Sequence, residues 1–260
     1  MPSIYADYQL IARDMQASLR RVSERPEIAR EIDYYLARIG DIDTIDEFMA
    51  DERIYRFALK AAGLGDMIYA RAFIRKVLEE GIDDPESFAN RLADTRFRDF
   101  ARRYDFKSFG ATATTFERAR QGAVDDYIRL TLEEDAGETS EGLRLALYFQ
   151  RKAASLRTGY DILADPALMK VAETVLGFSL ARGNIDKNAR LIEERLKITE
   201  LGDPARLERF LARFTTMWEM NAGAAGTGAA AANALIATPR DAGISMDILQ
   251  TLQTLKITGK

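Results

Sequence analysis

Side chains able to do chemistry are limited in this sequence, because its 260 residues include no cysteine and no histidine. The chain therefore has no thiol nucleophile, no disulfide and no zinc site built from these two residue types. It also lacks the side chain that most often serves as a general base. Any catalysis would depend on carboxylates, lysine, arginine, tyrosine, serine or threonine.

Three acidic clusters could act as acid–base pairs or hold a hard cation. They are Asp83-Asp84-Glu86, Asp125-Asp126 and Glu133-Glu134-Asp135. None of them belongs to an Asp-x-Asp-x-Asp-Gly loop that ends in glutamate. Helix caps and solvated helix faces are the better interpretation, and we predict no metal site.

A glycine cluster near the C-terminus invites comparison with a nucleotide-binding loop. Gly223, Gly226 and Gly228 have the spacing G-x-x-G-x-G, with no strand before them and no Lys-Ser/Thr pair after them. The dinucleotide fingerprint and the P-loop both require that context. We therefore predict no cofactor site, no catalytic residues and no enzymatic activity.

Residues 96–109, RFRDFARRYDFKSF, mix basic and aromatic side chains as a nucleic-acid surface does. At helical spacing, however, Phe97, Phe100, Ala101 and Tyr104 form one stripe, and the arginines lie largely off it. An amphipathic core helix is the better interpretation. The net charge of −4 gives no basic footprint, so we expect no nucleic-acid partner.

The composition, 47% hydrophobic and 30% charged, is typical of a folded soluble protein. The N-terminal residues mix charged and apolar side chains, and no segment approaches the roughly 20 apolar residues that span a bilayer. We therefore expect no membrane insertion and a cytoplasmic location by default. Export by a machine that reads no cleavable signal is the alternative.

One helical pattern occurs twice. With an offset of 114 residues (165 − 51 = 114), residues 30–64 align with 144–178 without a gap. Both copies place apolar residues at spacings 0, 3, 4 and 7, which predicts one buried helical face in each copy. The two stripes are Ile54, Phe57, Ala58 and Ala61, and Leu168, Val171, Ala172 and Val175.

Each stripe has the same start and stop signals. Asp51 and Asp165 stand where an N-cap would lie, and Gly63 and Gly177 stand where a left-handed C-cap residue is needed. Each copy begins with an entry helix, near residues 28–39 or 142–156. A later hairpin breaks at Asp84-Pro85 in the first copy and at Asp203-Pro204 in the second, and both breaks predict a new helix start.

These signals predict an all-α protein, because few stretches alternate in the manner of strands. We predict a first helical lobe over 1–115 and a second, similar lobe over 116–220 packed on it. Internal duplication is one origin of the repeat, and convergent helix patterning is the other. Residues 221–260 would form an Ala/Gly-rich connector and a terminal helix.

The terminal helix is the candidate partner-binding element. Ile248, Leu249, Leu252 and Leu255 lie on one helical side. This face either docks back on the domain or pairs with a helix of another molecule. Trp218, near the junction with the connector, is interpreted as a packing anchor.

Residues 46–106 resemble an uncharacterised family, domain-of-unknown-function family 1217. The motifs that carry the resemblance are ADERIYRFALKAAGL (50–64), FIRKVLEEGIDDPESFANRL (73–92) and the late GISMDILQTLQTL (243–255). The sequence departs from the family pattern at 62–64, where Ala-Gly-Leu replaces the usual Phe-Gly-Leu. The resemblance implies an alphaproteobacterial protein encoded among flagellar genes, and it brings no functional residues.

We therefore expect a non-enzymatic interaction or structural protein that is linked to the bacterial flagellum or its assembly. Flagellar components are the expected protein partners, and signal-less export to the flagellum is the alternative to the cytoplasm. The apolar stripes of the terminal segments, residues 8–22 and 244–257, would be the binding faces. The competing hypothesis is a ligand-binding or enzymatic protein with a pocket between the lobes. The sequence leaves the oligomeric state open.

Overall fold

A computed structural model of the protein describes residues 3–180 and 183–237, with side-chain surroundings described up to residue 222. The described part is mostly helical and contains no strand. The predicted all-α fold class is confirmed.

The described residues form fifteen α-helices, joined by short turns, several of them 3-10 turns. Their bounds are α1 Ile4–Arg13, α2 Met15–Ser23, α3 Pro26–Arg38, α4 Ile45–Ala50, α5 Glu52–Ala61, α6 Arg71–Glu80, α7 Phe88–Arg91, α8 Thr95–Arg103, α9 Phe106–Phe109, α10 Gln121–Thr139, α11 Glu141–Ala153, α12 Gly159–Leu163, α13 Pro166–Leu176, α14 Ile185–Leu196 and α15 Pro204–Ala237.

Two hydrophobic cores hold these helices together. The first core consists of buried side chains between residues 28 and 127, and the second consists of Tyr8 and buried side chains between residues 136 and 214. Helix α10 contributes to both, through Tyr127 in the first core and Ala136 in the second. The helix is therefore shared by the two cores.

The stripe helices form as the sequence predicts. All eight stripe residues are buried in α5 and α13. The Asp51 carboxylate accepts hydrogen bonds from two backbone N–H groups at the start of α5, and Asp165 does the same for α13. Gly63 has φ 70° and Gly177 has φ 79°, the left-handed conformation that glycine adopts without a steric cost.

Side-chain contacts recur at the same offset of 114 residues. The Tyr34 hydroxyl donates to Asp51 at 2.7 Å, and the Tyr148 hydroxyl donates to Asp165. A short helix precedes each stripe helix and carries an acid in its first turn. This acid accepts hydrogen bonds from the backbone N–H groups of the two residues just before the short helix. Glu47 accepts from Asp43 and Thr44, and Asp161 accepts from Arg157 and Thr158. These contacts support the duplication, which stays a hypothesis beside convergent patterning.

The two Asp-Pro signals have different outcomes. Helix α15 begins at Pro204, and Asp203 accepts from the Arg206 N–H at 2.9 Å, as predicted. At Asp84-Pro85 the predicted helix start is wrong, because Asp84 accepts from the Glu86 N–H and closes a turn. The Asn90 side chain donates to the carbonyls of residues 82 and 84 and stabilises that loop, so α7 begins only at Phe88.

The N-terminal segment corrects a second expectation. Residues 8–22 form parts of two helices rather than one, because the chain leaves helical geometry at Asp14, whose side chain caps α2 through the Ala17 N–H. Most of the predicted stripe is used inside the protein. Ile11 and Met15 pack against the second core and Val22 is buried, whereas Leu10 is 72% exposed. This segment therefore has no continuous apolar face available to a partner.

The chain divides into two compact units, residues 1–218 and residues 219–260. The boundary falls inside α15, and Gly223, Gly226 and Gly228 are helical residues of α15 rather than a loop. Trp218 packs against the second core, which confirms its predicted role as a packing anchor. The predicted lobe border at 115/116 stays a prediction.

Candidate functional site: a charged cleft

A cleft of about 960 Å³ is lined by residues between positions 60 and 168, which come from both predicted lobes. The end of α5, the turn after it and α8 form one wall. Helices α10 and α11, the end of α12 and the start of α13 form the other. We refer to this feature as the charged cleft, because most of its polar lining side chains are ionised.

The N-cap of α8 supplies the first ion pair of the charged cleft. Asp94 accepts from the Arg96 backbone N–H at 2.9 Å and from the Arg96 guanidinium at 2.7 to 3.1 Å. The same guanidinium donates to the Gly63 carbonyl at the end of α5. Burial acts to raise the pKa of Asp94, but the hydrogen bonds from Arg96 outweigh it and hold that pKa below its usual value.

A buried carboxylate lies in the opposite wall. The Glu133 side chain is 4% exposed and accepts from the Arg151 guanidinium at 2.7 and 2.9 Å. Arg129 lies 3.5 Å from the same carboxylate, and burial lowers the pKa of this arginine. The expectation of a solvated helix face is wrong for Glu133, because two arginines supply the charge compensation that allows its burial.

Most of the remaining acids of the predicted clusters form ion pairs or hydrogen bonds with other side chains of the protein. Glu134 pairs with Lys60 at 2.7 Å, Asp135 with Arg25 at 3.0 Å, and Asp126 with Arg103. Asp83 accepts from Ser108, and Asp125 accepts from Gln121. Within the described residues, no group of three or more acids is arranged to hold a metal ion.

The phenol of Tyr148 also lines the charged cleft. Burial raises its pKa, and the nearby Asp165 carboxylate raises it further. The raised pKa keeps the phenol protonated, so it serves as a hydrogen-bond donor to Asp165. Because Asp165 also caps α13, this contact fixes the start of that helix against α11.

Two cations of the charged cleft differ from the others. Arg98 of α8 and Lys152 of α11 are half-buried, and neither forms a direct ion pair among the described residues, although Lys152 is near enough to Asp94 to help lower the pKa of that carboxyl. The Nε atom of Arg98 is buried without a hydrogen-bond acceptor. The Arg98 guanidinium therefore keeps hydrogen-bonding capacity that no described side chain uses.

Sequence reasoning did not find these two residues. Arg98 and Arg102 lie on the same helix with similar neighbours, yet Arg102 is exposed and paired with Asp99 at 3.0 Å. No local signal separates them, because the cleft is completed by helices α10 to α13, which come later in the chain. The site residues that the sequence did predict, Ile248, Leu249, Leu252 and Leu255, lie outside the described residues.

Comparison with known proteins places the chain in a family. Residues 61–207 match the model of the protein family of unknown function DUF1217. This segment includes every lining residue of the charged cleft except Lys60. The chain belongs to this family. The alphaproteobacterial and flagellar associations that the resemblance implied stay predictions.

A solved structure shares the fold. The chain is similar to the X-ray structure of protein AGR_C_984 from Agrobacterium tumefaciens, at 49% sequence identity and a TM-score of 0.79. The match covers 84% of this chain and 93% of the Agrobacterium chain. No curated protein matches the sequence. Among the described residues of this family member, no helix is both long and apolar enough to cross a membrane.

Proposed function

We propose that this family member is a non-enzymatic protein–protein interaction component, linked to the bacterial flagellum or its assembly. The observation that carries the proposal is the division of the chain inside α15. Residues 219–260 form a unit of their own, and Trp218 is the last large side chain that packs on the second core among the residues whose side-chain surroundings are described.

The sequence of this second unit supports a role in binding. Helix α15 continues to Ala237 through a segment of mostly small residues, which contributes little apolar bulk. The apolar stripe Ile248, Leu249, Leu252 and Leu255 follows it. An amphipathic helix of this type binds by laying its apolar side chains into a groove of a partner. The flagellar link rests on the family resemblance, and flagellar proteins are the partners that it implies.

The test is affinity capture with the full-length protein in a motile bacterium. Leu249→Glu and Leu252→Glu place charges on the apolar stripe, and we expect the double variant to lose flagellar rod, hook, motor or export proteins. Gln250→Glu and Thr254→Glu add the same charge to the opposite helical side and serve as the matched control. The proposal is wrong if both double variants retain the same flagellar partners, or if the unaltered protein captures none.

A second candidate function is favoured by the charged cleft, whose size is suitable for a small ligand. Its position between helices of both predicted lobes agrees with the competing hypothesis of a pocket there.

A further inference from the structure

The facing helices of the charged cleft belong to different hydrophobic cores. Helices α5 and α8 contribute buried side chains to the first core, and α11, α12 and α13 contribute to the second. Among the described residues, no hydrogen bond or ion pair joins α8 to α11, α12 or α13 across the cleft. Helix α10 contributes to both cores, so it connects the two sides of the cleft.

Two ion pairs attach the first wall to α10. Arg103 of α8 pairs with Asp126, near the part of α10 that belongs to the first core. Lys60 of α5 pairs at 2.7 Å with Glu134, near the part of α10 that belongs to the second core. The Lys60 and Glu134 side chains are 29% and 56% exposed, so solvent and salt weaken this pair. The restraint that it places between the two cores is therefore a weak one.

Between these two parts, α10 contains a hydrogen bond that favours bending. Thr131 is 3% exposed, and its hydroxyl donates to the Tyr127 carbonyl one turn earlier at 2.9 Å. A threonine hydroxyl bonded in this way often bends a helix. Thr131 lies between Tyr127, in the first core, and Ala136, in the second. A bend at Thr131 would therefore change the separation of α8 from α11–α13 and leave each core packed.

We propose that the charged cleft opens and closes by bending of α10 at Thr131, and that the exposed Lys60–Glu134 ion pair holds the walls at the separation that the structure shows. Closure about a few hinge residues is a common movement of two packed bodies. Because the restraining pair is exposed, the movement responds to ionic strength. This inference is independent of the proposed partner-binding tail, because every residue that it uses lies within 1–218.

The test measures the separation of the walls in the full-length protein. Because the chain has no cysteine, spin labels can be attached at Ala93→Cys and Ser155→Cys, exposed cleft positions just before α8 and just after α11. The control pair, Ala72→Cys and Ala93→Cys, uses exposed positions in α6 and before α8 on the side of the first core.

Electron paramagnetic resonance should give a broader distance distribution for the cross-cleft pair than for the control pair. We expect the cross-cleft distances to lengthen at an ionic strength of about 1 M, where charges are screened within about 3 Å. The distances of the control pair should not change.

Two substitutions test the parts of the hinge. Glu134→Gln removes the restraining ion pair and should lengthen the cross-cleft distances at low ionic strength. Glu52→Gln is the matched control, because its side chain is also 56% exposed and its partners, Arg56 and Arg71, lie on helices of the first core. Thr131→Val removes the hydroxyl with little change in shape, and it should narrow the cross-cleft distribution.

A cross-cleft distribution as narrow as that of the control pair overturns the proposal, and so do equal shifts in Glu134→Gln and Glu52→Gln. A distribution that Thr131→Val leaves unchanged also overturns it, because the bend would then not lie at this residue. If Thr131→Val fails to fold, the comparison of Glu134→Gln with Glu52→Gln still decides whether the walls separate.

Discussion

At the scale of single residues, two buried tyrosines of the first core, Tyr35 and Tyr104, have the largest consequences. Tyr35 and Tyr104 are fully buried, and their hydroxyl oxygens lie 2.7 Å apart. The Tyr35 hydroxyl donates to the Ala119 carbonyl at 2.5 Å. Burial raises the pKa of Tyr104 to about 12 and also raises the pKa of Tyr35 well above its usual value. Both phenols therefore stay protonated at a pH that ionises an exposed tyrosine.

This pair makes the protein sensitive to alkali. Above pH 10, the usual tyrosine pKa, the unfolded chain releases a proton that the folded Tyr104 retains. The folded state then binds more protons, so the free energy of unfolding falls as pH rises from 10 to about 12. Each such tyrosine contributes a slope of up to about 1.4 kcal/mol per pH unit. We expect Tyr104→Phe to reduce this slope, measured by urea unfolding below and above pH 10.

The control for this experiment is Tyr69→Phe. The Tyr69 side chain is 88% exposed, so removal of its hydroxyl should leave the slope of the unaltered protein unchanged. An alkaline slope that is the same in Tyr104→Phe and in the unaltered protein would show that other groups cause it.

At the scale of helices, the approach of α12 to α14 depends on one glycine. Gly159 begins α12, and a Cβ atom at this position would lie far inside van der Waals contact with the Ala189 backbone of α14. Backbone atoms do not move aside as the end of a flexible side chain can. We expect Gly159→Ala to lower the free energy of unfolding by about 1–3 kcal/mol, measured by chemical denaturation.

Gly202→Ala is the matched control. A Cβ atom at residue 202 meets nothing within 4 Å, and the glycine has no positive φ. Alanine restricts the unfolded chain, so this variant should be equally stable or slightly more stable. Similar losses in the two variants would mean that the α12–α14 contact relaxes.

Helix starts were predictable from sequence where the cap and the apolar stripe agree. Asp51 and Asp165 each precede a buried face of period 3.6, and both cap as expected. Asp84 has the same type of local signal, but the Asn90 side chain binds the backbone of its loop and stabilises a turn. The break at Asp14 was missed, because the apolar spacing continues across it while the backbone leaves helical geometry there.

At the scale of the whole molecule, three consecutive acids connect separate parts of the chain. Glu133 of α10 binds Arg151 of α11, and the next two residues pair with Lys60 of α5 and with Arg25 ahead of α3. This run of acids therefore links segments of both cores. Its members differ in burial, since the Glu133 side chain is 4% exposed and the Glu134 side chain is 56% exposed.

We expect Glu133→Gln to lower the free energy of unfolding by about 3 kcal/mol, because it leaves two largely buried arginines without a carboxylate. Glu134→Gln makes the same chemical change one residue further along and should cost at most about 1 kcal/mol, since the acid of its ion pair is exposed to solvent. Urea unfolding near neutral pH compares the two variants. Equal losses would show that burial does not set the strength of these pairs.

The fold class was predictable from this sequence, whereas the charged cleft was not. A helical stripe is a local pattern, so it can be recognised within a dozen residues. Whether Glu133 is buried, or Arg98 unpaired, depends on which helices lie opposite. A cleft lined by residues 60–168 is set by tertiary packing, and no segment of the sequence carries its pattern.

The sharing of α10 between the two cores has a consequence for folding. Tyr127 and Ala136 lie on one continuous helix. If either core unfolded, the apolar face of α10 that it covers would be exposed to water. The other core would then lose support, because it depends on the same helix. Unfolding of one core therefore also lowers the stability of the other core. We therefore expect residues 1–218 to unfold in one cooperative step, because the two cores share this helix. If the two halves arose by duplication, sharing α10 makes each half depend on the other for part of its core.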